Sequence, residues 1–415
     1  MTLTINVERL PVRFKAEYEW VITLPFFHGG EPRVRSIFER VGLLDDSEVE
    51  SLLQTVFSKF SHRHTSVDSM LDEHYETAAA MIGARDHASL SRRRLIGSYF
   101  TMEYAIASAA LFNPSIVPHP DQTGIPEGGL RFMMSLRATG EGHLSSLVFR
   151  TGTIRAGRSV DFDKPGSLFR RARLSPNQIY EKHLFLRKLH DMAVDHEAIQ
   201  FVMADLAERF TLNELEHAIG EAHRQNPELM RLEETFEGMR WLARENYQLY
   251  LPADADISQM VIFPQSDNEI RGIEDLRLVR FVEDDGEVVY YGTYSAYNGY
   301  RVLPQLMETT DLRHVYVHTI NGECAQNKGM ALFPRKIDGH YVMCSRIDGV
   351  NLHIMYSDLP QFWETAELLQ APKHPWEFMQ IGNCGSPIET SEGWLLLTHG
   401  VGPMRTYSIG AMLLD

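Results

Sequence analysis

The stretch 285–299, DGEVVYYGTYSAYNG, contains two turn signals on either side of an apolar run. Asp285 and Gly286 form the first turn signal, and Asn298 and Gly299 form the second. Because Gly beside an acid or an Asn favours tight turns, and Val and Tyr favour extended backbone, this stretch predicts a short strand between two turns.

The same pattern of turn, apolar strand and polar strand end occurs at three further places along the chain. They are GGLRFMMSLRATG (128–140), DGHYVMCSRIDG (338–349) and EGWLLLTHGVGP (392–403). The turn glycines Gly286, Gly339 and Gly393 are 53 and 54 residues apart. A period near 50 with several strands per unit is typical of β-propeller blades, whereas the alternative is a general antiparallel β protein with coincidental spacing. We predict blades over residues 106–170, 250–310, 311–368 and 369–415.

Two other parts of the chain have helical patterns, with apolar residues recurring at intervals of three and four. We predict an N-terminal helical segment over 1–105 and a catalytic propeller domain over 106–415, interrupted by a helical insertion over 175–248. Three helix starts are indicated by a Ser or Thr followed three residues later by Glu or Gln. These pairs are Ser47 with Glu50, Ser175 with Gln178, and Thr211 with Glu214.

Composition and charge exclude several classes of function. The 415 residues carry a formal net charge of −16, which argues against a nucleic-acid or anionic-membrane partner. Three separated cysteines indicate reduced thiols rather than a disulfide framework or a zinc site. The N-terminus lacks the pattern of a signal peptide, and no apolar run reaches the roughly 20 residues of a membrane helix. We therefore predict a cytoplasmic protein without a metal or cofactor.

The polar residues at the ends of the strand units are the first candidates for a site, because ligands of propellers bind where inner strands end. They are Arg137, Asp275, Arg277, Lys328, Arg346 and His399. One acid among several cations indicates a site for an anion and for a group that needs protonation. The alternative for each residue taken alone is a solvated or structural side chain.

Several motifs, in this order along the chain, resemble glycoside hydrolase family 130. They are LFNPSIV (111–117), RATGEG (137–142), VIFP with GIEDLRL (261–278), TYSAYNG (293–299), NKGMALFPRKIDGHYVMCSR (327–346) and GSPIETSEGWLLLTHGVG (385–402). The resemblance covers residues 106–170 and 250–415. It implies a mainly β, five-bladed propeller acting on β-mannosides. The family has about one further blade beyond the last motif, so the resemblance also implies a final blade that is missing or truncated after Asp415.

The resemblance assigns a role to each candidate residue. It implies Asp275 as the general acid, Asn113, Arg137 and Glu274 as substrate-binding residues, and Arg277, Lys328, Arg346 and His399 as phosphate-binding residues. Leu276 stands where the family has a Pro after the acid. This departure changes backbone stiffness but leaves the carboxylate in place.

These roles predict an inverting β-mannoside phosphorylase that releases α-mannose 1-phosphate from short β-mannosides, with inorganic phosphate as co-substrate. A phosphate nucleophile needs cations and no second carboxylate. The first alternative is a β-mannosidase, in which Glu141 or Glu323 would serve as base. The second is a non-catalytic carbohydrate-binding propeller. We also expect the helical segments to allow a homo-oligomer.

Overall fold

The computed structural model describes residues 8–84, 88–156, 159–166, 168–176, 178–192, 194–225, 232–252 and 254–415. The chain forms two compact units. The N-terminal unit contains residues 1–112 and 138–144, and the C-terminal unit contains residues 113–137 and 145–415. Within the described parts of the chain, no helix is long and apolar enough to cross a lipid bilayer.

Over its described residues, the N-terminal unit combines four helices with a two-stranded antiparallel sheet. Its elements are β1 (Glu17–Pro25), α1 (Gly30–Gly42), α2 (Asp46–Phe60), α3 (Val67–Ile82), α4 (Leu90–Ser98) and β2 (Thr101–Ala107). Because β2 pairs with β1, the predicted start of the first blade at residue 106 is wrong. The cap of α2 is Asp45, which forms a capping box with Glu48, so the predicted start at Ser47 is also displaced.

Besides a two-stranded sheet in its helical insertion, the described part of the C-terminal unit contains four sheets of four or six strands. The first sheet consists of β3 (Ala110–Pro118), β4 (Leu130–Thr139), β5 (Ser145–Ile154), β6 (Val160–Phe162), β7 (Arg170–Arg171) and β12 (Met260–Ile262), and the second of β8 (Arg173–Leu174), β11 (Tyr247–Tyr250), β13 (Ile273–Val282), β14 (Val288–Tyr297), β15 (Val302–Thr309) and β16 (His314–Thr319). The third sheet consists of β17 (Lys328–Leu332), β18 (Tyr341–Arg346), β19 (Leu352–Ser357) and β20 (Ala366–Gln370). The fourth consists of β21 (Gln380–Asn383), β22 (Ile388–Thr390), β23 (Gly393–Val401) and β24 (Tyr407–Leu414). The prediction of a mainly β chain with added helices is confirmed.

The order of strands within the sheets corrects the predicted blade boundaries. The second sheet has the order β13-β14-β15-β16-β11-β8, so the strand His314–Thr319 belongs with β15 and not with the following sheet. The predicted boundary at 310/311 is therefore wrong, because strand pairing rather than sequence spacing decides membership of a sheet. The three turn glycines are confirmed: Gly286, Gly339 and Gly393 have φ values of 88°, 81° and 126°.

Successive sheets pack face to face through buried apolar clusters. Between the first and second sheets, Phe149 packs in one cluster with Leu276. Between the second and third, Phe281 shares a cluster with Met343. The third and fourth sheets are joined by a cluster containing Val342 and Leu396. Each sheet is thus buried against its neighbour along the chain, which fixes the strand ends that carry the candidate residues.

Between β8 and β11, the described residues form four helices with a separate apolar core. The elements of this insertion are β9 (Ile179–Glu181), α5 (Lys182–Asp191), α6 (His196–Ala204), β10 (Arg209–Thr211), α7 (Leu212–Gln225) and α8 (Glu233–Glu245). The predicted capping pair at α7 is confirmed, since the side chain of Glu214 accepts from Thr211 N and Glu214 N donates to Thr211 Oγ1. The predicted helix start at Ser175 is wrong, because the first helix of the insertion begins at Lys182.

Candidate active site

A β-bulge at the start of β13 sets the direction of the candidate acid. In the pairing of β13 with β14, Glu274 lies opposite Ser295 and Arg277 lies opposite Thr293, so Asp275 and Leu276 together face one residue. Asp275 has a φ of 59°, in the left-handed region that non-glycine residues rarely adopt. An extra residue in one strand breaks the alternation of side chains. As a result, the carboxylates of Glu274 and Asp275 both reach the same arginine.

That arginine is Arg137, at the end of β4. Its Nη2 lies 2.6 Å from Glu274 Oε1, and its Nη1 lies 3.4 Å from Asp275 Oδ1. The other carboxylate oxygen of Glu274 lies 2.5 Å from Lys328 Nζ. The three side chains of Arg137, Glu274 and Asp275 are 17%, 14% and 21% exposed, so these ion pairs are shielded but still reachable by a ligand. Glu274 therefore fixes one cation on each of its oxygens and holds Arg137 beside Asp275.

Arg277 is held by the protein itself. Its Nε donates to Asn383 Oδ1 at 2.9 Å, and its Nη1 donates to the backbone oxygen of Asp275 at 3.1 Å. The side-chain nitrogen of Asn383 donates in turn to Gly329 O on the third sheet. Arg277 thus joins the bulge to two other strand ends. It contributes positive charge to the site, while these donors already have partners.

Arg346 and His399 meet at Gly382. A Cβ at position 382 would lie 3.1 Å from His399 Nε2 and 3.2 Å from Arg346 Nη1, so a larger residue would require these two side chains to shift. Arg346 Nε is buried and has no hydrogen-bond partner within the described part of the chain. A buried donor of a charged group is costly to leave unpaired. This donor points to an anionic or polar ligand that would complete the group.

Arg277, Arg346 and His399 form a cationic group whose pKa values are lowered by their surroundings. Burial lowers the pKa of Arg277, and burial together with the charge of Arg277 lowers the pKa of Arg346. Burial and the charges of both arginines lower the pKa of His399 to about 4. His399 is therefore neutral near pH 7 in the unliganded protein. An anion placed beside these groups would relieve the repulsion and favour their charged forms.

The structure brings together most of the residues predicted from the sequence. Contacts join Arg137, Glu274, Asp275 and Lys328, while Arg277, Arg346 and His399 interact electrostatically with one another and with Asp275. These four cationic residues and two carboxylates leave an excess of two formal positive charges with His399 neutral. This positive charge favours an anionic ligand at the site.

Three predicted residues lie outside these contacts. Asn113 is exposed on β3 with a φ of 50°, two residues before Ser115, whose Oγ accepts from Leu278 N on β13. Glu141 lies in the N-terminal unit, where its Oε1 accepts from Ala105 N at 3.2 Å. Glu323 is exposed and its backbone nitrogen donates to Glu364.

Two residues of the site were missed by the sequence analysis. Asn383 is fully buried and connects Arg277 to Gly329, yet its context GNCGSP has the composition of a turn. Ser145 accepts a hydrogen bond from Arg137 Nε at 2.9 Å. A buried Asn at the end of a strand is the signal that could have identified the first, while the second has no local signal.

Comparisons with known proteins find similarity over part of the chain. Residues 254–415 match the glycoside hydrolase family 130 model, described as beta-1,4-mannooligosaccharide phosphorylase. The chain is similar to a 1,2-beta-oligomannan phosphorylase of Thermoanaerobacter sp. strain X514, with 32% identity over 38% of this chain and 53% of the relative. It is also similar to a beta-1,4-mannooligosaccharide phosphorylase of Ruminococcus albus, with 33% identity over 33% of this chain and 42% of the relative. The chain thus spans about half the length of the curated relatives it matches.

A solved structure gives a further similarity. The beta-1,2-mannobiose phosphorylase of Listeria innocua in complex with beta-1,2-mannobiose aligns with 16% identity over 75% of this chain and 73% of that chain, with a TM-score of 0.37.

Proposed function

Because residues 254–415 match the model of glycoside hydrolase family 130, we propose that this chain is an inverting β-mannoside phosphorylase. Its substrates would be a short β-mannoside and inorganic phosphate, and its products α-mannose 1-phosphate and the shortened acceptor. The matched relatives are named for phosphorolysis of 1,2- and 1,4-linked β-mannosides, which supports the substrate class. The residues of the candidate site support phosphate as the second substrate.

The observation that carries the proposal is the group of Arg277, Arg346 and His399 beside Asp275. Burial lowers the pKa values of all three groups, and the positive charges of neighbouring arginines lower those of Arg346 and His399 further. Among the residues that the structure describes, Arg346 Nε is a buried donor without a partner, and an anion satisfies a charged donor better than a neutral sugar does. A water nucleophile would need a carboxylate base instead. Phosphate satisfies the charge, the donor and the chemistry together.

In the proposed reaction, a phosphate oxygen attacks the anomeric carbon of the mannosyl unit. The bond from that carbon to the acceptor oxygen breaks, and Asp275 supplies the proton that the departing oxygen takes up. Arg346 and His399 would hold the phosphate and balance its charge. Attack from the face opposite the leaving group inverts the configuration and gives α-mannose 1-phosphate.

We further propose that the four sheets are consecutive blades of a β-propeller of the five-bladed type. Face-to-face packing of each sheet on the next supports this arrangement, because blades pack in this way around an axis. The bulged or terminal positions of four successive sheets carry Arg137, Asp275, Lys328 and His399. Blades around one axis would bring such positions to one funnel. The helical insertion would then be an addition to the propeller domain.

The proposed function is tested by incubating the protein with β-1,2- and β-1,4-mannobiose, each with and without inorganic phosphate. We expect mannose 1-phosphate only when phosphate is present, and little free mannose in either case. Free mannose released at equal rates with and without phosphate would establish a β-mannosidase instead. Sugar binding without any product from either linkage would favour the non-catalytic alternative.

A further inference from the structure

A fully buried carboxylate lies in the loop that leads into the catalytic strand. Glu269 accepts hydrogen bonds from Tyr247 OH at 2.8 Å and from Tyr294 OH at 2.6 Å. Its second oxygen accepts from Gln265 N at 2.8 Å and from Ser266 N at 3.3 Å. Four donors around two oxygens compensate for the burial of a carboxylate that contacts no cation in these bonds. Such a group fixes the loop firmly.

One of these donors lies directly behind the candidate acid. Tyr294 is the residue of β14 between the partners of Glu274 and Arg277, so it faces the bulge formed by Asp275 and Leu276. Tyr294 and Leu276 belong to the same buried cluster, which places them on the core side of the bulge. The carboxylate of Asp275 reaches Arg137 instead. The bond from Tyr294 to Glu269 therefore holds the core side of the bulge.

The helical insertion is connected to the same loop at its C-terminal end. Glu245, the last residue of α8, is fully buried and its Oε1 accepts from Asn268 N at 3.3 Å. Tyr247, two residues later, supplies the other phenol to Glu269. The loop ends at Gly272, whose nitrogen donates to Glu269 O at 2.6 Å. Insertion, loop and bulge thus share one set of buried polar contacts.

We propose that Glu269 and Tyr294 are positioning residues for Asp275. The proposal rests on the proposed function, in which Asp275 protonates the leaving oxygen. A bulge with a left-handed, non-glycine residue is strained and keeps its geometry only where its surroundings determine it. The Glu269–Tyr294 pair provides that support from the buried side. Its loss would let the carboxylate of Asp275 move relative to the bond it protonates.

The test compares two Tyr-to-Phe variants on the same strand. Tyr294→Phe removes the hydroxyl bonded to Glu269 and keeps the packed ring. Tyr290→Phe is the matched control, because Tyr290 is also buried on β14 but donates to Pro118 O at 2.9 Å, away from the bulge. Since small misplacements of reacting groups can cost up to about 100-fold in rate, we expect kcat to fall roughly 10- to 100-fold in Tyr294→Phe. The KM for phosphate should change by less than about twofold, as the hydroxyl touches none of the cationic group.

A second readout does not depend on catalysis. In protein labelled with ¹³C at the aspartate carboxyl carbons, the signal of Asp275 is assigned by its loss in Asp275→Asn. We expect this signal to move in Tyr294→Phe and to stay in place in Tyr290→Phe. If the wild-type protein made no mannose 1-phosphate, the proposed function would fail while this comparison still tested the positioning.

Two outcomes would contradict the positioning role of Glu269 and Tyr294. Tyr294→Phe would keep kcat within about twofold of wild type and leave the Asp275 signal unmoved, or Tyr290→Phe would produce the same changes. Should Tyr294→Phe fail to fold, Tyr247→Phe tests the same carboxylate from its other phenol. Its effect on kcat should lie in the same direction, and no effect on either readout would overturn the role of Glu269.

Discussion

Anion binding at the cationic group should be coupled to proton uptake by His399. In the unliganded site its pKa is lowered to about 4, so the imidazole is neutral at neutral pH. A bound anion favours the charged imidazolium and raises that pKa. Between the two values, binding takes up a proton, and the affinity for the anion must therefore rise as the pH falls. The affinity rises toward low pH because the pKa of His399 is lower in the free protein than in the anion-bound protein.

The size of the effect follows from Coulomb's law. A unit negative charge about 4 Å from the ring, at an effective dielectric constant near 20, stabilises the imidazolium by about 4 kcal/mol. That energy corresponds to about three pKa units, which would bring the pKa of bound His399 close to 7. Anion affinity should then increase up to about tenfold for each pH unit between roughly pH 7 and pH 4. A change of about 100-fold is expected between pH 7.5 and pH 5.

Sulfate is the appropriate probe, because phosphate itself changes charge near pH 7. Isothermal titration calorimetry in two buffers with different ionisation enthalpies gives both the affinity and the number of protons taken up. We expect close to one proton per sulfate near pH 5.5 for the wild-type protein. His399→Asn should bind sulfate more weakly and with almost no proton uptake.

A matched control is His318 on β16, which like His399 is a partly buried histidine. Burial, together with the charge of Lys188, lowers the pKa of His318 to about 3, but the ring belongs to a different part of the sheet. His318→Asn should retain the proton uptake of wild type. Equal uptake in wild type and His399→Asn, or no uptake in wild type, would show that His399 does not take up a proton when the anion binds.

Three further substitutions probe other parts of the site. Asp275→Asn should lower kcat by about 10²–10⁴, the usual contribution of general acid catalysis, with an unchanged melting temperature as the control. Gly382→Ala would place a Cβ 2.9 Å from the imidazole of His399, so phosphate affinity measured by calorimetry should fall about tenfold. The control is Gly385→Ala, whose Cβ enters open space and should leave phosphate affinity unchanged. Lys328→Ala removes the cation 2.5 Å from Glu274, and the KM for phosphate should rise roughly tenfold or more while that for the mannoside changes less; an equal rise in both would contradict a role in anion binding.

Local signals in the sequence predicted the strands and turns well. The turn glycines have the positive φ values that their context requires, and each of the strand units quoted from the sequence contains a strand. The partners of the strands were less predictable. His314–Thr319 pairs with β15, and β2 pairs with β1, because hydrogen-bonded register depends on residues far away in the chain. A period in the glycines carries no information about that register.

The site shows the same division between local and distant information. The residues that converge were identified at predicted strand ends, because alternation and turn residues are local signals. The sequence could not give their internal pairing: Lys328 contacts Glu274 from 54 residues away, and Arg277 binds Asn383 across 106 residues. The bulge at Asp275 also has no local signature, because its left-handed backbone is held by Tyr294 and its neighbours rather than by a glycine.

The most direct test of the central claim is a crystal structure of the protein with inorganic phosphate and a β-mannobiose. We predict a phosphate within hydrogen-bond distance of Arg346 Nε and His399 Nε2, on the side of the mannosyl ring opposite to Asp275. A phosphate-free pocket at this point, with a carboxylate-bound water facing the anomeric carbon instead, would contradict the phosphorylase account.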